Sequence, residues 1–218
     1  MADILPLLLK GTLTTIQITV LASALAIVLA FAAALGKLSP VSPIRWLANG
    51  YIEVFRGTSL LVQLFWLYFV LPLPPFNVEM SAFTVAVIGL GLHIGAYGAE
   101  VVRGALQAVP RGQIEAAIAL NMPPWRRFLR IVLPQALIAV IPPATNLLIE
   151  LLKGTALVSL ITLGDLTFRA NQIVQLTFMS REVFGITLLI YFVLAQCINL
   201  GMRWLLSRLK RGSVQVSR

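Results

Sequence analysis

Residues Leu13–Leu35 read LTTIQITVLASALAIVLAFAAAL, 23 residues without a charged side chain. About 20 consecutive apolar residues are enough for a helix to cross the hydrocarbon core of a bilayer. Backbone polar groups find no water in that core, so the spanning segment must be a helix rather than a strand. Because Met1–Pro6 carries an acid and no basic residue, and the run is too long for a signal-peptide core, we expect this helix to be retained.

Four more apolar stretches follow, and the second is interrupted by Glu53 and Arg56. The composition is 59% hydrophobic and 11% charged, whereas about a quarter of a soluble domain is charged. We therefore predict an all-α integral membrane protein with one transmembrane domain over 1–210 and a cytoplasmic tail over 211–218. The five predicted spans are 13–35, 47–71, 82–102, 129–152 and 184–206.

The distribution of basic residues predicts the orientation. A net charge of +9 could indicate a nucleic-acid binder, but the basic residues cluster between apolar runs, as membrane topology requires. Positively charged loops stay in the cytoplasm, and an N-out/C-in topology places thirteen of the seventeen lysines and arginines there. The thirteen are Lys37, Arg45, Arg56, Arg103, Arg111, Arg126, Arg127, Arg130, Arg203, Arg208, Lys210, Arg211 and Arg218.

Two connections on the predicted outer side differ in character. Pro72, Pro74 and Pro75 predict a tight turn after the second span, because proline cannot continue a helix. The stretch from Lys153 to Glu182 mixes apolar and polar residues and is too long for a simple connection. It predicts one or two short helices at the outer face, partly re-entrant.

The loop between the third and fourth spans reads RGQIEAAIALNMPPWRRFLRIVLPQA. Gln113–Leu120 consists of strong helix formers, and Asn121 stands where a left-handed C-terminal cap is expected. Pro123 and Pro124 then stop the helix. The segment is too polar to span the membrane, so it predicts a short helix across the cytoplasmic face. An interfacial helix with basic anchors is the simplest interpretation.

The same loop resembles the EAA motif of type I ABC importer permeases. That motif has the spacing EAA, three residues, G, nine residues, I, one residue, LP. The chain departs from it at one position, where asparagine replaces the usual glycine, and asparagine also tolerates a left-handed backbone. The matching residues are Glu115, Ala116, Ala117, Asn121, Ile131, Leu133 and Pro134.

The resemblance extends over roughly residues 11–209 and is most similar to polar amino acid permeases. YIEVFRGTSLLVQL at Tyr51–Leu64, AYGAEVVRGAL at Ala96–Leu106 and LLKGTALVSL at Leu151–Leu160 resemble segments of that family. Within it, HIGAYGAE, EAAIALNM and LLKGTALVSL are most similar to permease subunits for ectoine and hydroxyectoine.

The resemblance implies a multi-pass protein of the cell inner membrane and a coupling loop over 111–134. In this arrangement the helix around Glu115–Met122 docks on a separate ATPase subunit, whose ATP-driven closure switches the membrane helices between inward- and outward-open states. The chain itself has no GxxxxGK[ST] loop, so ATP and magnesium belong to that partner. A second permease subunit, similar but not identical, and an extracytoplasmic solute-binding protein complete the expected assembly.

Polar residues inside spans are costly and are candidates for function. His93, Tyr97 and Glu100 share one helix face, where they either line the path or make helix-to-helix hydrogen bonds. Glu100 has Arg103 or a loop arginine as an alternative partner. Gly89, Gly91, Gly95 and Gly98 predict close helix packing. The candidates for the substrate path are Gln63, His93, Tyr97, Asn146, Glu150, Lys153 and Thr155.

Opposite charges near the outer end of the fourth span suit a zwitterionic solute. Glu150 could meet a substrate cation, and Lys153 either pairs with Glu150 or meets a substrate carboxylate. Ectoine and polar amino acids are zwitterions of this kind.

Two other functions agree less well with the sequence than transport does. An intramembrane enzyme would need His93 and Glu100 as acid and base or as metal ligands, but there is one histidine and one cysteine, and no second ligand cluster. We therefore predict no catalytic residue and no metal site. A self-assembling channel would need no coupling loop and would conduct without ATP.

Overall fold

The computed structural model describes the backbone of residues 4–214 and the side chains of residues 5–210. Within that range the chain is helical and contains no strand. A π-helical turn at Trp66–Val70 extends α3, a second at Phe128–Val132 joins α6 to α7, and a 3₁₀ segment at Thr155–Ile161 follows α7. The α-helices are α1 (Ile4–Lys37), α2 (Ser42–Gly57), α3 (Leu60–Phe65), α4 (Ala82–Gln107), α5 (Arg111–Ala119), α6 (Pro124–Arg127), α7 (Leu133–Gly154), α8 (Leu166–Thr177) and α9 (Ser180–Val214).

Among the described residues, four helical segments are long and apolar enough to cross a membrane: Leu5–Lys37, Ala82–Gln107, Pro124–Ile161 and Ser180–Lys210. They contain four of the five predicted spans, and each of them runs at least four residues past one predicted end. Pro142 and Pro143 lie inside α7, where a membrane helix tolerates proline because neighbouring groups satisfy the freed backbone.

The stretch predicted as the second span, 47–71, is not one helix. α2 ends at Gly57, and Thr58 and Ser59 have extended backbones (φ −121° and −74°) before α3 begins. The apolar helix after the break covers only Leu60–Val70. A glycine followed by two hydroxyl residues favours a break, because these residues compete with the helical backbone for hydrogen bonds.

Close contact between α1 and α4 forms the centre of the fold. Alanines at every fourth position of α1, among them Ala22, Ala26 and Ala30, face α4 and are nearly fully buried. A Cβ added at Gly98 of α4 would lie 2.9 Å from the Cβ of Ala30, and one at Gly91 would lie 2.6 Å from Leu25. The predicted packing role of the α4 glycines is confirmed.

The connection between α7 and α9 contains the short helices predicted for it. The 3₁₀ segment and α8 fill it, and Asp165 caps α8 by accepting from the N–H groups of Thr167 and Phe168. The proline-rich segment after α3 is likewise a turn. Helix α9 continues to Val214, so the predicted tail begins in helix, and its last part, residues 215–218, lies outside the described residues together with residues 1–3.

Replacing Gly95 with valine should destabilise the protein by about 1–3 kcal/mol, the usual cost of overpacking a tight interface. A Cβ at Gly95 would meet the Tyr51 hydroxyl at 2.8 Å and the Leu29 Cβ at 2.9 Å. Unfolding of the detergent-solubilised protein measures the loss. Gly104→Val on the same helix is the control, because nothing lies within 4 Å of a Cβ there. Equal losses in the two variants would contradict the packing argument.

Candidate functional site

Helix α5 has a specific C-terminal geometry at the EAA-like loop. Asn121 adopts the left-handed conformation, with φ 54°, as its position in the sequence predicted. Its N–H donates to Ile118 O at 2.9 Å, and the N–H of Met122 donates to Ala117 O at 3.0 Å. These two bonds form a Schellman motif, which satisfies the last carbonyl groups of the helix. Asparagine therefore serves here in place of glycine.

One face of α5 is tied to the membrane domain and the other is free. Ala117 is 1% exposed, and Gln113 accepts a 2.6 Å hydrogen bond from Gln135 of α7. Glu115 and Ala116 are exposed. Ile118 and Leu120 are also exposed, at 53% and 76%, although both are apolar. An exposed apolar pair beside an acid is a surface suited to another protein.

The C-terminal part of the EAA-like motif forms the junction with α7. Pro134 lacks an N–H group and crowds the carbonyl four residues earlier, so the helix widens into the π turn at Phe128–Val132. Ile131 and Leu133 lie half-buried at this turn, while Pro134 is exposed. The junction therefore continues the loop directly into a spanning helix.

Glu100 is the centre of an ion-pair cluster at the α5 end of α4. Its Oε1 lies 2.6 Å from Lys37 Nζ at the end of α1, and its Oε2 lies 2.7 Å from Arg103 Nη2. Arg103 also donates to Gln107 at 2.6 Å. The predicted pairing with Arg103 is confirmed. Lys37 was missed, because a contact between residues 63 positions apart leaves no local pattern in the sequence.

The break between α2 and α3 is held by polar side chains predicted for the path. Gln63 Nε2 donates to Thr58 Oγ1 at 2.7 Å and to Phe55 O at 3.0 Å. This leaves its Oε1 facing His93 Nδ1 at 3.1 Å, so the Nδ1 proton is assigned to that bond. The ring of Tyr97 lies 5.2 Å from that of His93. The helix-to-helix alternative for His93 is therefore the arrangement observed.

Asn146, Glu150 and Lys153 form an exposed face on the half of α7 farthest from α5. Their spacing of four and three residues places them on one side of the helix, and all three are exposed. Among the described residues none of them makes a hydrogen bond or an ion pair, so the pairing considered for Glu150 and Lys153 does not form. Two unpaired charges on a spanning helix are costly against lipid.

Thr155 lies apart from that face, in a buried polar cluster. Its hydroxyl donates to Leu152 O at 2.7 Å, and the residue is fully buried. Thr15 accepts from the N–H of Leu166, and Tyr191 and Thr167 share a 3.0 Å hydroxyl contact. The structure thus places Thr155 in a packed junction of α1, α8 and α9.

Asp165 is fully buried beside that cluster. Burial raises the pKa of Asp165 to about 6, against the lowering effect of hydrogen bonds from the backbone at Phe168 and Thr167. Arg169 makes no ion pair with it and donates instead to Gln172 at 2.9 Å. One local pattern indicates a role for this residue, an aspartate at an N-cap position. Its burial depends on the surrounding helices.

In the part of the chain that the structure describes, no cluster of three or more His, Cys, Asp or Glu side chains could hold a metal ion. The structure brings polar side chains together at three places: the α2–α3 break, the Glu100 cluster and the α8 junction. The exposed polar residues of the α7 face belong to none of these three groups.

Asp165 should make folding stability depend on pH in a predictable direction. Its folded-state pKa of about 6 lies above the ordinary 3.8, so the folded protein binds this proton more tightly than the unfolded chain does. The contribution of Asp165 to the free energy of unfolding should therefore rise as the pH falls from about 6 to about 4, by up to about 3 kcal/mol. Thermal unfolding over this pH range measures it. Asp165→Asn should flatten the profile, and an unchanged profile would contradict the assignment.

Residues 26–211 match the family described as the binding-protein-dependent transport system inner membrane component. The chain is 44% identical to the probable amino-acid ABC transporter permease protein y4tF of Sinorhizobium fredii, over 93% of this chain and 87% of that protein. It is 38% identical to the arginine transport system permease protein ArtQ of Bacillus subtilis, with 87% and 86% covered.

A crystal structure of an amino acid ABC transporter with histidines superposes with a TM-score of 0.88 at 36% identity. The alignment covers 95% of this chain and 96% of that one. Subunits of this kind are transport components rather than enzymes, and ATP hydrolysis belongs to a separate subunit. The helical fold, the four long apolar segments and these similarities agree. The chain belongs to the binding-protein-dependent transport family, as a multi-pass membrane permease of the amino-acid ABC importer type.

Proposed function

We propose that this permease translocates polar amino acids or related zwitterions, such as ectoine and hydroxyectoine, across the cell inner membrane. The observation that carries the proposal is the exposed α7 face with Asn146, Glu150 and Lys153. A carboxylate and an ammonium on one helix face match the two charges of a zwitterion. An amide beside them adds hydrogen bonds that a polar side chain of the solute can use.

This α7 face would be stable only next to water, a solute or another protein. Charged residues within spanning segments face a bundle interior or an aqueous cavity, since hydrocarbon solvates them poorly. We therefore assign Asn146, Glu150 and Lys153 to the wall of the translocation path. We assign a second layer, behind this wall, to the other predicted path residues. Their hydrogen bonds hold the helices there in place. They are Gln63, His93, Tyr97 and Thr155.

The proposed topology has five crossings, with the N-terminus outside and the C-terminus inside. In addition to the four long helical segments, the broken segment from Ser42 to Val70 is the remaining crossing and comes second in chain order. Its two helical parts together are long enough to traverse the membrane. The positive-inside rule supports this orientation. It places α5 and the Glu100 cluster on the cytoplasmic side, and α8 with the Asn146–Lys153 end of α7 near the outer side.

The proposed assembly contains two permease subunits, similar but not identical, with ATPase subunits and an extracytoplasmic binding protein. Helix α5 would dock on the ATPase through Glu115, Ile118 and Leu120. The motif residues Ala116, Ala117, Asn121, Ile131, Leu133 and Pro134 would fix its shape and its link to α7. ATP and magnesium would be held by the ATPase, whose closure moves α5 and with it α7.

Reversing the charge at Glu115 should separate the ATPase from the permease. Glu115→Lys changes an exposed side chain at the proposed docking surface, so membrane insertion should be retained while co-purification of the ATPase is lost. Glu79→Lys is the matched control, because Glu79 is an exposed acid in the loop at the opposite membrane face. Normal assembly of the Glu115→Lys complex would contradict the coupling role.

Removing the α7 charges should reduce transport without affecting assembly. Loss of a charge-assisted hydrogen bond should lower solute uptake about ten-fold or more in Glu150→Gln and in Lys153→Gln. Glu182→Gln, an exposed acid in the first turn of α9, should keep normal uptake. Normal uptake in both α7 variants would remove this face from the path.

The uptake assay uses proteoliposomes with the complete transporter, ATP and binding protein, and labelled arginine, glutamine and ectoine. ATP-dependent uptake of an amino acid would support the broader proposal alone. Ectoine uptake that resists competition by the amino acids would support the narrower one. Flux without the ATPase would instead indicate a channel and overturn the importer proposal.

A further inference from the structure

A crevice opens between α1 and α9, with α4 and α7 as its floor. Its volume is about 290 Å³, and it lies in the half of these helices nearest α5. Ala26 and Ala30 of α1, Val102 of α4, Ala144 of α7, and Leu205 and Leu209 of α9 are among the lining residues. The crevice is distinct from the α7 charges: its lining reaches Leu147 and Leu148, at the level of Asn146 and Glu150, but the helical period places the charges on the opposite side of α7.

The lining indicates the kind of ligand. The side chains around the crevice are almost all apolar, and no charged group lies among them. Ser23 is the one hydroxyl in the lining, and it already donates to Thr19 O of its own helix. A ligand therefore finds hydrocarbon contacts and no unmet hydrogen-bonding group, which favours a saturated chain over a polar solute.

The end of the crevice nearest α5 is bounded by cationic residues. Arg208 lies one turn beyond Leu205 on α9, and its guanidinium stacks 4.5 Å above the ring of Trp204. Arg130 lies seven residues before Leu137 of the lining and makes no ion pair within the described part of the chain. Basic residues and tryptophan at this level of a spanning helix suit a phosphate headgroup region.

A further cavity lies between α1 and α9 towards the other end of α9. This second apolar cavity, again about 290 Å³, lies between Thr12 of α1 and the stretch from Ile186 to Leu194 of α9. The α1–α9 seam is therefore apolar along both halves of the helices. A long hydrocarbon chain lies parallel to such a seam in a bilayer.

We propose that the α1–α9 crevice binds an anionic phospholipid, with an acyl chain in the crevice and its phosphate beside Arg208 and Arg130. The combination of an apolar slot and a cationic end is complementary to both parts of such a molecule. A lipid chain in the crevice would also hold α9 against α1 and α4, because α9 itself packs mainly on α7 and α8. A second permease subunit on this surface is the competing occupant, and the experiment distinguishes the two.

The experiment counts lipids on the complete transporter. The complex is reconstituted in vesicles with equal amounts of phosphatidylglycerol and phosphatidylcholine, extracted gently and analysed by native mass spectrometry. Wild-type complex should retain phosphatidylglycerol in preference to phosphatidylcholine. Ala144→Phe, which fills the crevice, should lose this lipid. Arg208→Gln should keep a lipid but lower the phosphatidylglycerol preference about five-fold, the effect expected for one arginine near an anionic surface.

Matched controls separate the site from general effects on the membrane domain. Ala139→Phe places the same ring on an exposed side of α7, and Arg45→Gln removes an exposed arginine at the same membrane face. Both should retain wild-type lipid. Unchanged lipid retention and preference in Ala144→Phe and Arg208→Gln would overturn the proposal. So would a photo-crosslinker at Leu209 that labels the second permease subunit rather than lipid.

Discussion

The fold depends on how closely α1 approaches α4. Lipid tails are as apolar as leucine, so burial from water does not drive these helices together, and shape must. Gly91, Gly95 and Gly98 remove side chains where α1 needs the space. Leu25, Leu29 and Ala30 of α1 occupy it. Contacts of many atoms at close range then supply the stabilisation. Because α5 begins four residues after α4 ends, this closely packed pair also carries α5, the helix proposed to dock on the ATPase.

Polar groups inside this domain fall into two physical classes. Glu100 and His93 have their partners within the chain, through Lys37, Arg103 and Gln63. Such groups hold helices in register, and their hydrogen bonds replace water that the bilayer lacks. The α2–α3 break belongs to this class, since Gln63 satisfies the backbone carbonyl at Phe55 that the missing helical turn would have used.

Local sequence patterns predicted much of this architecture. They did not predict the contacts between residues that are far apart in the sequence. A long run without charge indicates a helix because the bilayer allows few alternatives, and the Asn121 cap follows from a left-handed preference and the prolines after it. The break at Thr58 was missed, although Gly57 and two hydroxyl residues mark it, because the apolar residues on both sides together have the length of one span. Gln63 holds the break through Phe55, Thr58 and His93, and the contact with His93 joins residues 30 positions apart. The pairing of Lys37 with Glu100 and the burial of Asp165 depend on helices that meet in three dimensions.

The second class of polar groups, the unpaired side chains of the α7 face, supports the proposal that a second subunit completes the path. Glu100 is neutralised by two cations within the chain, whereas Glu150 and Lys153 form no ion pair with each other. Pairing them directly would have required only a rotamer change on neighbouring turns of one helix. Unpaired, both charges are available to a third group, and the proposed zwitterionic solute would bring one opposite charge to each. Such a surface would be stable when a second subunit excludes lipid from it, so the proposed solute site would depend on assembly of the permease pair.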